Sequence, residues 1–106
     1  MKEEIIKEVI QKIFEENKIK ISKILLFGSR ARGDFKKGSD WDILIITENK
    51  LQREKRKELS HLVRKKLAEE FIPCDVLIKS NKEVEERKDV IGSVIRSALK
   101  EGIWLR

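Results

Sequence analysis

LLFGSRARGDFKKGSDWDILIIT, residues 25–47, is the stretch that decides the fold. An apolar run ends in Gly28-Ser29, a short basic segment follows, and a second apolar run opens with Asp40 and Asp42, one residue apart. Both runs are short, bounded and rich in branched residues, as buried strands are. Acids at i and i+2 of a strand face the same side of a sheet. Two carboxylates at the mouth of a buried strand are unfavourable unless something compensates them. A shared divalent metal would do so, and phosphoryl and nucleotidyl transfer depend on such metal. Glycine at 28 lets the backbone approach a phosphate closely, and Ser29 adds a hydroxyl beside exposed N–H groups. The stretch therefore points to chemistry on a nucleotide.

A third acid fits the same site. Pro73-Cys74-Asp75-Val76-Leu77-Ile78 is another short apolar run with an acid near its start, and it follows an amphipathic helical stretch. Strand, helix, strand in that order favours a parallel crossover, which brings the two strand starts to one edge of the sheet. Asp75 can then approach Asp40 and Asp42. Gly28-Ser29 ends its own strand, so that strand must run antiparallel to the other two. The expected sheet is mixed, and three acids with a phosphate-binding turn and room for two metal ions make a complete transfer site.

Gly-Ser, ten residues, Asp-x-Asp and a third Asp on a later strand resembles the nucleotidyltransferase superfamily that includes DNA polymerase beta. The match covers the whole chain. In size and in the GSRARG form of its loop, the chain is most similar to the minimal nucleotidyltransferases, which commonly serve as antitoxins of small all-helical HEPN ribonuclease toxins. The resemblance implies an α/β (α+β) fold: one domain over residues 1–106, with a mixed sheet of three to four strands flanked by helices, like the polymerase beta palm. It implies that Gly28 and Ser29 hold the triphosphate of ATP, that Asp40 and Asp42 bind Mg2+, and that Asp75 activates the incoming hydroxyl and completes the metal site. The implied reaction is transfer of AMP to a hydroxyl, a tyrosine on a HEPN partner that is silenced by it. Two rivals stand beside this reading. The fold could neutralise its partner by contact alone, or the nucleotide could go to a small molecule such as an aminoglycoside, though no second domain is left to hold one.

Length and charge bound these readings. The 106 residues suffice for one core but not two. A nucleic-acid-gripping domain of the kind polymerases carry has no room here, so a protein partner is expected to complete the substrate site and direct nucleic-acid binding is not. Oligomerisation stays open. A net charge of +6 and a pI near 9.5 suit ATP phosphates or an acidic partner, but charges of both signs are mixed along the chain. Heavy use of Lys, Glu and Ile with a single Met and a single Cys fits a heat-adapted intracellular protein. Cys74, being alone, excludes an intramolecular disulfide and a cysteine zinc site, and reads as a small core residue. The N-terminus lacks the apolar stretch of a signal peptide, and the expected location is the cytoplasm.

The remaining segments set the frame. Ile5, Ile6, Val9, Ile10, Ile13 and Phe14 mark one face of a helix over residues 2–17, and residues 19–27 carry the first strand. A short helix is expected over 29–33, its N-terminal N–H groups facing phosphate. Strand two spans 41–47, a charged helix 51–69, and a final helix 82–100; the tail after Gly102 allows a fourth strand. Arg30 and Arg32 both flank the phosphate turn, and at least one is expected to bind the nucleotide. Trp41 points away from the acids and reads as core. Trp104 fits core or interface. His61 reads as a surface residue; Lys36 and Lys37 read as solvated loop charges that could also draw in ATP; and the KRKE and VRKK runs of the charged helix read as a solvated face, with a basic docking surface as the alternative. Arg32-Gly33-Asp34 spells an adhesion tripeptide that is incidental in a chain without an export signal.

Overall fold

The structure is a computed structural model and describes residues 2–106. Helix α1 (Lys2–Glu16) buries Ile6, Ile10 and Phe14, which recur every fourth residue, and opens with Glu3 and Glu4, where acids suit the helix dipole. It ends where Lys18 turns to φ 58°. Strand β1 (Ile21–Phe27) leads through Gly28 into the single-turn helix α2 (Ser29–Arg32), and a loop connects to β2 (Trp41–Thr47). Helix α3 (Arg53–Glu69) and strand β3 (Cys74–Ser80) follow, then α4 (Asn81–Arg87), α5 (Val94–Glu101) and the two-residue strand β4 (Ile103–Trp104).

The strands form one mixed sheet in the order β3-β2-β1-β4. Antiparallel pairing of β1 with β2 sets Phe27 opposite Asp42, and parallel pairing of β2 with β3 sets Asp42 opposite Asp75. The mixed topology expected from the position of Gly28-Ser29 is what forms, and β4 adds to β1 with Trp104 opposite Leu25.

Alternation divides each strand between two faces. Ile24, Leu26, Trp41, Ile43, Ile45, Cys74 and Ile78 join Ile6, Ile10 and Phe14 of α1 and Leu59, Val63 and Leu67 of α3 in the larger core. Trp41 thus packs inside, as its parity with the acids predicts. Leu25, Leu44 and Ile46 meet Ala98 of α5 on the opposite face, in a much smaller core. Asp42 shares that second face, at the end of the sheet where apolar cover stops.

One expectation is corrected. The apolar spacing from Val84 to Leu99 predicts a single helix over 82–100, but α4 stops at Arg87 and α5 starts at Val94. Gly92 adopts φ 83°, and the Ser93 hydroxyl accepts from the Arg96 amide at 3.0 Å. A left-handed glycine followed by a capping serine outweighs periodicity. No helix among the described residues is long and apolar enough to cross a membrane.

Candidate active site

Register does most of the assembly. Asp42 and Asp75 are direct partners on adjacent parallel strands, and Asp40 lies two residues before Asp42, just outside β2. The carboxylates therefore share the end of the sheet where β1 stops and β2 and β3 begin. Gly28 closes this end from β1 with φ 74° and ψ −160°, backbone angles open essentially to glycine alone. Its missing side chain matters: a Cβ there would overlap Asp42 Oδ2 and stand 3.0 Å from Asp42 Cγ. The turn can hold its backbone against the carboxylate only because residue 28 has no Cβ.

Asp42 is half-buried, and burial is the main reason its carboxyl titrates above the ordinary range; the charges of Asp75 and then Asp40 add to the rise, while Arg32 opposes it. Burial also pushes the Cys74 thiol up to about 11, with Asp75 and Asp40 adding and Arg64 opposing, so Cys74 is a packed, inert thiol. The sheet end therefore holds excess negative charge that a cation would relieve.

An open cleft of about 540 Å3 lies against Asp42, walled by Phe27, Gly28, Ser29 and Arg32 on one side and Gly92, Ser93, Val94, Ser97 and Glu101 on the other. Asp40 and Asp75 are exposed and stand beside this cleft rather than in its wall. Helix α2 turns its start towards it: the Ala31 and Arg32 amides donate to Gly28 O at 3.1 and 3.0 Å, which leaves the Ser29 and Arg30 amides at the open end. The start of α5 forms the facing wall, so two helix N-termini, whose partial positive charge favours anions, border one space. Gly92, Ser93, Val94, Ser97 and Glu101 were not among the sequence-derived candidates. Gly92-Ser93, a stop signal followed by a cap, is the pair that could have revealed them.

The two arginines differ. Arg30 donates from Nε and Nη2 to Ser39 O at 3.2 and 2.9 Å and stacks its guanidinium on Phe35 and Trp41, 4.2 and 4.9 Å from the ring centroids. It ties the 34–40 loop to α2 and so fixes the approach to Asp40. Arg32 lies on the cleft rim, bonded to Asp34 at 3.2 Å and Glu101 at 3.0 Å, and its pKa is raised chiefly by the hydrogen bond to and charge of Asp34. These pairs are exposed and can exchange for a stronger anion. Arg30→Lys, which keeps the charge but loses the fork and the stack, is expected to lower stability by about 1–2 kcal/mol and to speed exchange of the loop amides. Thermal unfolding and hydrogen exchange at residues 35–41 would check this.

Among the described residues, no three His, Cys, Asp or Glu side chains are drawn together as a closed metal centre. The donor set still fits Mg2+, which keeps several waters and is held by one or two carboxylates together with substrate phosphates rather than by a protein cage. Asp42 and Asp75, in register beside an anion-attracting cleft, are such a pair.

Comparison with known proteins agrees with this geometry. Residues 6–105 match the family described as nucleotidyltransferase domain. MJ0141 of Methanocaldococcus jannaschii, provisionally named a protein adenylyltransferase, is 36% identical over 77 residues, covering 72% of this chain and 78% of that protein. MJ0604 of the same organism, with the same provisional name, is 48% identical over 44 residues, 42% of this chain; the matched part spans less than half of that protein's length, 44%. Among solved structures, one chain of the Shewanella oneidensis complex of tri-AMPylated HEPN toxin with MNT antitoxin has a similar fold, with a TM-score of 0.60 and 21% identity over 98% of this chain and 71% of that one. A fold, a Gly-Ser turn and an acid pair in register thus agree with a family match running nearly end to end: the chain belongs to the nucleotidyltransferase domain family.

Proposed function

We propose that this protein is an ATP-dependent adenylyltransferase that moves AMP to a tyrosine hydroxyl of a HEPN-type partner and thereby acts as the antitoxin of a toxin–antitoxin pair. The observation that carries the reading is the Asp42–Asp75 register with Gly28 packed against Asp42, beside a cleft bordered by two helix starts. The named relatives support protein as the acceptor class, and the toxin complex of similar fold supports the partner.

In this reading the Ser29 and Arg30 amides, the Ser29 hydroxyl and the start of α5 hold the triphosphate, and Arg32 exchanges Asp34 and Glu101 for its oxygens. Asp40, Asp42 and Asp75 would hold Mg2+, whose bound chemistry is charge neutralisation and acidification of the attacking hydroxyl. The acceptor oxygen forms a bond to the α-phosphorus as the bond from that phosphorus to pyrophosphate breaks. Asp75, exposed at the sheet end, orients the hydroxyl and takes its proton. Pyrophosphate departs along Gly28-Ser29.

Incubation with α-labelled ATP, magnesium and a lysate of the source organism tests this, with an Asp40→Ala/Asp42→Ala variant as control. A labelled protein with AMP on tyrosine, seen only with intact acids, is the expected result. Full suppression of the partner by the unlabelling variant would replace transfer with neutralisation by contact.

A further inference from the structure

We infer that the cleft between α3 and the free edge of β3 is the docking groove for an acidic, extended segment of the protein substrate, laid along β3 so that its acceptor hydroxyl arrives beside Asp75. The inference rests on the adenylyltransferase reading and names the chemistry of its substrate.

The sequence alone presents the KRKE and VRKK runs as a solvated face. In the fold, part of that face is not free surface. Arg53, Arg56, Lys57 and Arg64 lie at spacings of three, four, seven and eleven along α3, one helical stripe, and all four line an open cleft of about 450 Å3 with Lys79 and its β3 neighbours Val76, Leu77 and Ile78. No carboxylate lines it. Among the described residues, only Arg56 of these five cations has an acidic partner, Glu83 at 3.5 Å. The cleft is a concentrated positive field awaiting an anion.

Its floor identifies the kind of anion. β3 is an outer strand of the sheet, so one row of its N–H and C=O groups has no partner strand. Val76 and Ile78 add apolar surface to the floor. A peptide adding as a strand would satisfy the edge with its backbone, place alternate side chains on that floor and face acids towards α3. Single-stranded nucleic acid would instead want aromatic stacking platforms, and no Phe, Tyr or Trp lines the cleft.

Direction links the groove to the reaction. α3 runs back along β3: Arg56 reaches Glu83, just beyond the end of β3, while the last residue of α3, Glu69, is joined to the start of β3 at Cys74 by only four residues. The basic stripe therefore leads along the seven residues of β3 to Asp75, second in that strand. A segment seated there delivers its end to the sheet edge that bears the acids.

The test uses the full chain and a fluorescein-labelled heptapeptide alternating Glu and Val and ending in Tyr, followed by anisotropy. Expected are binding that weakens with salt, protection of β3 amides from exchange, and a loss of about tenfold or more in an Arg53→Glu/Lys57→Glu/Arg64→Glu variant whose ATP affinity and melting are unchanged. Equal binding of a Lys-for-Glu peptide, undiminished binding by the triple variant, no binding at all, or displacement by a uridine oligonucleotide would overturn the inference. The two readings fail separately. Asp42→Asn should bind the peptide normally, so peptide binding by a wild-type chain that transfers nothing would remove the enzymatic reading and leave the groove.

Discussion

Asp42→Asn is expected to abolish AMP transfer, by on the order of 10³-fold, and at the same time to raise the melting temperature in metal-free buffer at neutral pH. The two effects share one cause. Asp42 is half-buried among like charges, and burial first, then Asp75 and Asp40, raise its pKa in the folded chain. A carboxyl whose folded pKa lies above its unfolded value adds stability while protonated, and that stability is lost as pH rises through the folded pKa. At neutral pH the ionised Asp42 is therefore a burden on the fold that the neutral amide lifts. The advantage of the Asn variant should shrink on acidification and vanish below about pH 4, where the carboxyl is protonated in both states. Melting curves from pH 3 to 8 in EDTA, paired with transfer of label from ATP, measure both halves. Magnesium with ATP should then stabilise the wild type and not the variant. A variant less stable at every pH would contradict the electrostatic account, and transfer within tenfold of wild type would remove Asp42 from the chemistry.

The strands and the acid constellation were readable because each rests on local pattern. Apolar runs bounded by Gly-Ser and by Asp-x-Asp announce β1 and β2, and the need for Gly28-Ser29 to reach the acids dictates an antiparallel β1, as found. Three aspects were hidden from local pattern. A helix over 29–33 points Arg30 and Arg32 in different directions, but the sequence does not say which one stays at the cleft: Phe35, Ser39 and Trp41 take up Arg30, while Asp34 and Glu101 hold Arg32 there. The final helix hides its break for a different reason: Val84, Ile91, Ile95 and Ala98 keep a helical spacing through it, and only the backbone angle of Gly92 and the cap at Ser93 interrupt it. That break creates the second wall of the cleft. The basic stripe of α3 belongs to the same class, since nothing in residues 53–64 reveals that an open strand edge lies beside them.

Gly28→Ala carries the other large expected effect, because it separates backbone strain from damage to the acid pair. Residue 28 has φ 74° and ψ −160°, so alanine there costs about 1–3 kcal/mol before any contact is considered. Its Cβ would also invade Asp42, overlapping Oδ2 and lying 3.0 Å from Cγ and 3.2 Å from the Asp42 Cβ. The Asp42 side chain must leave its present position beside Gly28, and a displacement of that size should lower transfer by about 10²-fold. Gly33→Ala is the matched control. Gly33 has φ 86°, but a Cβ there meets nothing within 4 Å, so it carries the strain without the collision. It should lose about 1 kcal/mol of stability and keep transfer. Adding Asp42→Ala to Gly28→Ala removes the group that the new methyl strikes, so the double variant should recover stability relative to Gly28→Ala, a coupling the two separate substitutions cannot show. Denaturant midpoints for the three variants and the pair, with label transfer measured alongside, would resolve it. If Gly28→Ala were no worse than Gly33→Ala in both measurements, the close approach of this turn to Asp42 would not govern the site.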